Sequence, residues 1–316
     1  MIKRWITAPN GAVILNPLIR YVKGGLIIPS SNQVPLTIAA APSATVPTRS
    51  APIIIEAGQD GPAEIFSTIG QHGASDAAAV QARLSCVITD DVYRRQYMNR
   101  DILCNHVFGN NLQPFDMKET TFLQPQQTMQ FVFLNNSTAG ASSWRFALAH
   151  RKFQSTGLTT PETQNWVREQ VKRKCMLNSF WLTSTDPVSI PANGKNTTSL
   201  FKNTPDKWLC LFYIMATGLT TGVAGDTTEL FNFTIFDPKN YRPYMNSPVT
   251  LNTGCGTARF PYVLPQPIFM EPNSTMQVLF NNLVTDAATE VFFTFYGVAS
   301  YTGKPLWKAQ GERGVG

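Results

Sequence analysis

The chain contains one sequence segment twice. Residues 122–136 read FLQPQQTMQFVFLNN and residues 269–283 read FMEPNSTMQVLFNNL, so that each shared residue returns 147 positions later. Without a gap, residues 97–135 match residues 244–282 at thirteen of thirty-nine positions, where average residue usage gives roughly two or three. We interpret the chain as a tandem duplication of one module. Upstream the match fades, and residues 51–89 show no clear counterpart at this offset.

The shared residues belong to the types that shape a backbone. Glycine and proline set turns, and a proline is tolerated where a strand opens because a ladder donor can be missing there. The framework positions that we select are Tyr97, Asn99, Gly109, Pro125 and Thr128 in the first copy, and Tyr244, Asn246, Gly256, Pro272 and Thr275 in the second. No His, Asp, Glu, Lys, Arg or Cys is shared in the segment, so both copies retain architecture without titratable chemistry.

Apolar residues alternate with polar ones in most of the chain, which is typical of half-buried strands. Examples are ARLSCVITD at 82–90, TMQFVFLN at 128–135 and SWRFALAH at 143–150. With turn signals between such runs, the pattern predicts an all-β protein of two tandem antiparallel sandwiches, jelly rolls in the first place and immunoglobulin-like sandwiches as the rival.

One segment predicts a helix, TTPETQNWVREQVKRKC at 159–175, with Thr160 as N-cap, Pro161 at the first position and basic residues at the end. We expect it to connect the modules; a basic helix that binds nucleic acid is the alternative. The predicted domains are an N-terminal arm at 1–50, the first sandwich at 51–157, the connector helix at 158–175, the second sandwich at 176–303 and a tail at 304–316.

Residues 1–50 carry six prolines and no acidic residue. Proline at that density interrupts helices and sheet ladders, so we expect an extended arm that becomes ordered only against another surface, with a disordered tail as the alternative. The basic residues that we assign to this assembly arm are Lys3, Arg4, Arg20, Lys23 and Arg49.

Reactive constellations are missing from the sequence. The histidines His72, His106 and His150 have no metal-ligand spacing, and no metalloprotease, nucleophile-elbow or phosphate-loop motif is present. Asp90, Asp91 and Asp237 follow strands, where a turn role is favoured over a Ca²⁺ site. We therefore predict a non-enzymatic protein with no cofactor, no metal and no small-molecule substrate.

Composition points in the same direction. Charged residues make up only 15% of the chain, below the usual quarter, and such a weakly charged polar surface suits contact with other protein. The five cysteines are odd in number and widely spaced, which predicts core thiols in a reducing compartment. No apolar run reaches the ~20 residues of a membrane span, and we predict no signal peptide.

Two stretches of the second copy carry a resemblance. FPYVLPQPIFMEPNSTMQVLFNNL at 260–283 and EVFFTFYGVAS at 290–300 look like a pattern of bacteriophage virion structural proteins, and the tandem sandwiches with a basic arm resemble double jelly-roll capsid proteins. The resemblance implies a capsid shell or capsid-associated protein, folded in the host cytoplasm and located in the virion. It also implies a homo-oligomer, a trimer in the first place, that contacts other virion proteins and, through the arm, packaged nucleic acid.

The alternative function is a tail or fibre adhesin that grips a glycan through a sandwich, and a hydrolase on a β scaffold ranks third. Exposed aromatic residues on loops favour the adhesin. The tryptophans Trp166, Trp181 and Trp208 lie in strand or helix patterns, which favours core positions for them. Copy number discriminates between the classes, since a shell protein is present in hundreds of copies and an adhesin in few.

Overall fold

Antiparallel strands build most of the protein, and the prediction of an all-β fold is confirmed. A computed structural model describes residues 5–7, 13–15, 22–27, 36–43, 45–56, 62–74, 76, 78–90, 95–110, 112–153, 161–184, 188–220 and 230–301. Two sandwiches follow one another along the chain and are joined by a single helix of several turns, α3, at Pro161–Met176. Thr160, the predicted N-cap, lies outside the described residues.

The strands before α3 are β1 Trp5–Thr7, β2 Val13–Leu15, β3 Val22–Ile27, β4 Leu36–Ile38, β5 Thr48–Arg49, β6 Ile53–Glu56, β7 Ala63–His72, β8 Leu84–Asp90, β9 Arg95–Gln96, β10 Ile102–Leu103, β11 Phe115–Leu123, β12 Thr128–Asn135 and β13 Ser142–Phe153. The strands after α3 are β14 Leu177–Thr183, β15 Val188–Ile190, β16 Thr197–Lys202, β17 Trp208–Thr220, β18 Phe231–Phe236, β19 Val249–Thr250, β20 Tyr262–Met270, β21 Thr275–Asn282 and β22 Thr289–Ser300. The short helices are α1 Ala78–Gln81, α2 Cys104–Val107 and α4 Leu251–Gly254.

Both sandwiches have the strand order of a jelly roll. In the second module one sheet runs β14-β22-β17-β20 and the other β16-β21-β18-β19. In the first module the sheets run β3-β13-β7-β11 and β5-β12-β8-β10, with β4 beside β13, β6 beside β12 and β9 beside β8. When the eight main strand positions of each module are numbered in chain order, one sheet of each module has the order 1-8-3-6 and the other has the order 2-7-4-5. This arrangement is the double Greek key that defines a jelly roll.

Each sandwich encloses a core of aromatic side chains. In the first module, Phe131, Phe133 and Phe146 are 0%, 0% and 3% exposed, and the ring centroids of Phe131 and Phe146 are 5.0 Å apart. In the second module, Phe280 and Phe293 are both 0% exposed, with ring centroids 5.3 Å apart. The inward positions predicted from alternation are buried in the structure, and aromatic pairs at these separations stabilise a core beyond their buried area.

The repeated segment folds into the same turn twice. Pro125 precedes Gln126, whose φ is 65°, and the Gln127 amide donates to the Gln124 carbonyl over 3.0 Å. At the equivalent place Pro272 precedes Asn273, whose φ is 61°. Proline at the second position with a positive φ at the third defines a type II turn. β12 and β21 then begin at Thr128 and Thr275, as the sequence predicted.

The N-terminal segment is extended but belongs in part to the first sandwich, which corrects the prediction that residues 1–50 become ordered only against an external surface. β3 and β4 pair with β13, and β5 pairs with β12. Ile38 is 2% exposed and Ala41 5%. Prolines such as Pro42 and Pro47 lie between these short strands, where no ladder donor is needed. The first sandwich therefore starts upstream of residue 51.

Residues 84–89 have a structural counterpart in the second module, although the residues themselves show no clear match there. β8 pairs with β12 through Leu84 and Asn135, and β18 pairs with β21 through Phe231 and Asn282, again 147 residues further on. The geometry is retained although the side chains differ, because a sheet position specifies an inward apolar residue and not a particular one. The residue-by-residue match therefore underestimates how far the two modules correspond.

Candidate functional site

The two modules meet at a buried contact on the outer face of sheet β14-β22-β17-β20. Along β22 the residues Phe293 and Phe295 point into the second core. The alternate residues Thr294 and Tyr296 are 1% and 0% exposed, although they face away from that core. The first module covers them, so β22 is buried on both faces. A strand buried on both faces is apolar at nearly every position instead of alternating, and EVFFTFYGVAS at 290–300 is apolar at most positions on both faces.

Tyr296 is the centre of an aromatic cluster at this contact. Its ring centroid lies 4.9 Å from that of Phe115 in the first module, 4.8 Å from that of Trp181 and 5.6 Å from that of Tyr213, with which it stacks. Its hydroxyl accepts a hydrogen bond of 2.7 Å from the Lys118 amide and lies 2.8 Å from Ser179 Oγ. Burial raises the pKa of Tyr296. The hydroxyl therefore stays protonated, and its hydrogen bonds join Lys118 of the first module to Ser179 of the second.

His106 is held between the same two modules. The ring is 0% exposed; Nδ1 lies 2.9 Å from Thr294 Oγ1 and Nε2 lies 3.0 Å from Thr217 Oγ1. Burial lowers the pKa of His106 to about 3, so the imidazole is neutral and can donate through one nitrogen and accept through the other. Two hydroxyl groups satisfy both nitrogens, which is the environment of a buried structural histidine and not of a general base open to substrate.

Charged residues surround this contact in pairs. Arg83 of the first module forms an ion pair with Glu290 on β22, and Arg173 Nη2 on α3 lies 2.6 Å from Glu119 Oε1 on β11. A cleft of about 450 Å³ opens at this edge, lined among others by Arg49, Arg83, Asp101 and Glu290. Asp101 accepts a hydrogen bond of 2.8 Å from Ser85 Oγ. The carboxylates of the cleft are thus engaged by neighbours, which indicates a structural role.

A backbone strap completes the contact. It consists of residues 97–99, the first copy of the shared Tyr-Met-Asn sequence. The Trp181 amide on β14 donates to the Tyr97 carbonyl over 2.9 Å, and the Asn99 amide donates to the Trp181 carbonyl over 3.3 Å. The Asn99 side chain donates to the Thr183 carbonyl over 2.7 Å and accepts from the Thr183 amide over 2.9 Å. The strap therefore lengthens the sheet of the second module at its β14 edge.

The second copy of the Tyr-Met-Asn sequence has no equivalent contact among the described residues. Tyr244 is 47% exposed, whereas Tyr97 is 3% exposed, and Asn246 is exposed as well. The predicted framework pair Tyr97 and Tyr244 therefore occupies equivalent places in the chain but different environments in the fold.

The framework glycines lie at close backbone crossings. The Gly109 amide donates to the Thr68 carbonyl, and the Gly256 amide donates to the Ile214 carbonyl, both over 3.2 Å. A Cβ atom at Gly109 would lie 2.2 Å from the Gln113 carbonyl oxygen, and one at Gly256 would lie 1.9 Å from that of Phe260. No side chain fits at either position.

The predicted arm residues are not brought together by the described structure. Lys3, Arg4 and Arg20 lie outside the described residues. Lys23 lies on β3, where only the backbone is described. Arg49 lies on β5 with its side chain exposed at the cleft between the modules. The sequence predicted a core position for Trp181, which is 0% exposed, but it did not predict the contacts of His106 and Tyr296 between the modules. The one signal for Tyr296 was the mostly apolar sequence of β22.

The side chains of four cysteines are described: Cys86, Cys104 and Cys210 are buried, Cys255 is partly buried, and all four are free thiols. Among the described residues no three His, Cys, Asp or Glu side chains cluster in a way that suits a metal ion. Within the same part of the chain, no helix has the length and apolar character that crossing a membrane requires.

Comparison with known proteins yields distant structural likeness alone. No protein-family model and no curated protein matches the chain. Among solved structures, N-glycanase F (PNGase F) has a TM-score of 0.31 and 8% identity, over 86% of this chain and 96% of that one. The infectious bursal disease virus VP2 subviral particle has a TM-score of 0.26 and 6% identity, over 88% and 41%. A triple jelly-roll turret protein of an archaeal virus has a TM-score of 0.22 and 11% identity, over 85% and 60%. These scores do not discriminate between functions.

Proposed function

We propose that the chain is a non-enzymatic structural component of a virus particle, a capsid shell or capsid-associated protein of a bacteriophage that assembles through repeated contacts with itself. The observation that carries this proposal is the pair of jelly rolls with one strand order, packed through a buried contact within one chain. We infer that the pair arose by tandem duplication. A chain with two similar lobes forms a six-lobed ring from three copies, and such rings can tile a lattice.

The engaged side chains support the non-enzymatic part of the proposal. His106 is enclosed between two threonine hydroxyls, and the carboxylates of Glu290 and Glu119 are paired with arginines. We propose a location in the virion, contact with other virion proteins, and contact of the basic residues near the N-terminus with packaged nucleic acid, since positive charge binds phosphate independently of sequence.

The test is assembly of the purified full-length chain. Light scattering coupled to size exclusion, followed by negative-stain electron microscopy, is expected to show trimers, sheets or shells that grow with protein concentration. A chain that stays monomeric at all concentrations and salt conditions contradicts the proposal.

A glycan-binding adhesin is the second candidate, and one observation favours it. A groove of about 750 Å³ on the second module is lined by Trp208, Tyr244 and Phe269 together with Asp237 and Glu271. Aromatic faces beside carboxylates are groups that can stack on sugar rings and hydrogen-bond to their hydroxyls. A glycan array with the same preparation tests it, and saturable binding that Trp208→Ala abolishes would favour the adhesin.

A further inference from the structure

The second Tyr-Met-Asn segment holds the same place in its own sandwich as the first. The Tyr97 amide donates to the Ile88 carbonyl over 3.1 Å, and the Tyr244 amide donates to the Ile235 carbonyl over 2.9 Å. The residue before each tyrosine also forms an antiparallel β-bridge in its own module. Gln96 pairs with Thr89 in the first module, and Pro243 pairs with Phe236 in the second. Residues 244–246 therefore occupy the same position in the second sandwich as residues 97–99 occupy in the first.

Apolar side chains that the first module buries are exposed around this second segment. Tyr244 is 47% exposed against 3% for Tyr97, and Phe269 is 50% exposed against 5% for Phe122. Tyr244 and Phe269 line the same groove. A clustered apolar surface of this kind marks a contact site more often than isolated exposed residues do.

We propose that this surface binds the first module of a second copy of the chain, along its edge strand β3. The inference rests on the self-assembly proposed above and names the surface that carries it. The bound arrangement repeats the contact seen within the chain, with Met245 and Asn246 beside β3 of the neighbour as Met98 and Asn99 lie beside β14.

β3 is the strand that corresponds to β14. β14 occupies the edge of its sheet beside β22, where Trp181 pairs with Tyr296. Among the described strands, β3 occupies the edge of its sheet beside β13, where Leu26 pairs with Ala149. An edge strand offers amide and carbonyl groups to another chain. β3 also contains Gly24 and Gly25, and glycine in a strand often marks a close approach of another backbone.

The chemistry of the strap favours an extended peptide over a glycan as occupant. In the first module Asn99 uses its side-chain amide as both donor and acceptor to the backbone of one residue, Thr183. Asn246 presents the same amide, and the spacing of a peptide N–H and C=O matches it. Because one copy's second module meets the other copy's first module, the contact is head-to-tail and can close into rings.

The test measures self-association of the full chain by sedimentation at several concentrations. Tyr244→Ser and Asn246→Ala should each raise the dissociation constant at least about ten-fold, which corresponds to about 1.4 kcal/mol. The matched control is Leu112→Ser, which removes a side chain that is 83% exposed on the first module and should leave association unchanged. Both target side chains are exposed, so circular dichroism and thermal melting should show intact folding.

A mixing experiment identifies the partner surface. Gly25→Lys places a long charged side chain on β3, a substitution that discourages edge pairing. At a concentration at which the wild-type chain associates and each variant alone is mostly monomeric, an equimolar mixture of Tyr244→Ser and Gly25→Lys proteins should form a dimer through the one intact groove and the one intact edge. Absence of the mixed dimer, with both proteins folded, overturns the head-to-tail assignment.

The outcomes separate this inference from the proposed function. If the wild-type chain assembles and the groove variants assemble equally well, the inference is overturned while the structural function stands. If the wild-type chain is monomeric, the proposed function fails and the inference with it. If Tyr244→Ser abolishes glycan binding and leaves assembly unchanged, the groove is a glycan site and the inference is overturned.

Discussion

At the scale of single residues, His106 links the contact between the modules to pH. Its neutral ring lies between Thr217 and Thr294, and burial lowers its pKa from 6.5 to about 3. An unfolded chain binds a proton at this residue below about pH 6.5, whereas the folded chain does not until about pH 3. The contribution of His106 to the free energy of unfolding is therefore fully present above pH 6.5. It is lost as the pH is lowered toward 3, by up to about 1.4 kcal/mol per pH unit.

The variant His106→Gln should reduce this acid sensitivity, because glutamine can donate and accept hydrogen bonds but does not titrate. Urea titrations at pH 7 and pH 4.5 measure the effect as the difference between the two free energies of unfolding. The difference should shrink without disappearing, because burial also lowers the pKa of His72, to about 4. Equal differences in variant and wild type would show that His106 is not the acid-sensitive group.

At the scale of elements, the backbone crossings after α2 and α4, at Gly109 and Gly256, are predicted to exclude any side chain. Gly256→Ala would place Cβ 1.9 Å from a backbone carbonyl oxygen, whereas at Gly140 the nearest atom to a new Cβ is Val80 Cγ2 at 3.7 Å. Gly256→Ala should lower the free energy of unfolding by about 1–3 kcal/mol or more, since a packed backbone must shift. Gly140→Ala should be nearly neutral in the same urea titrations, and a comparable loss in both variants would contradict the steric explanation.

The same elements show what the sequence could predict. The turn at Pro125 and Pro272 and the strands that follow were predictable, because proline, threonine and alternating apolar residues act locally. The arrangement of β15 and β16 was not. Asn193-Gly194 indicates a hairpin, and a turn is present, but β15 pairs with β22 and β16 with β21. A turn signal specifies a reversal of the chain and leaves open which sheet each strand joins.

The candidate site was less predictable than the fold because it forms between distant parts of the chain. His106 and Thr294 form a hydrogen bond although they are 188 residues apart in the sequence. A lone histidine without a ligand or catalytic spacing carries no local signal for such a contact. Tyr97 and Tyr244 each begin the same three residues, Tyr-Met-Asn, and yet one is 3% exposed and the other 47%.

At the scale of the whole molecule, the buried contact predicts that both jelly rolls unfold together. The first core cluster includes Trp181, Met215 and Tyr296 of the second module, so unfolding one module exposes apolar surface of the other. Differential scanning calorimetry of the wild-type chain should show one transition, with calorimetric and van't Hoff enthalpies equal under conditions that prevent assembly. Two resolved transitions would mean that the modules are stable independently and that the contact contributes little.

Tyr296→Ala should uncouple the modules. It removes a ring that contacts Phe115, Trp181 and Tyr213, and loss of a buried aromatic side chain costs about 3–5 kcal/mol. Because Tyr296 faces away from the second core, that loss falls on the contact, and the single transition should separate into two. Tyr241→Ala, at a site 64% exposed, is the matched control and should retain one transition. If Tyr296→Ala instead lowers the melting temperature without separating the transitions, further contacts such as the strap at Asn99 couple the modules on their own.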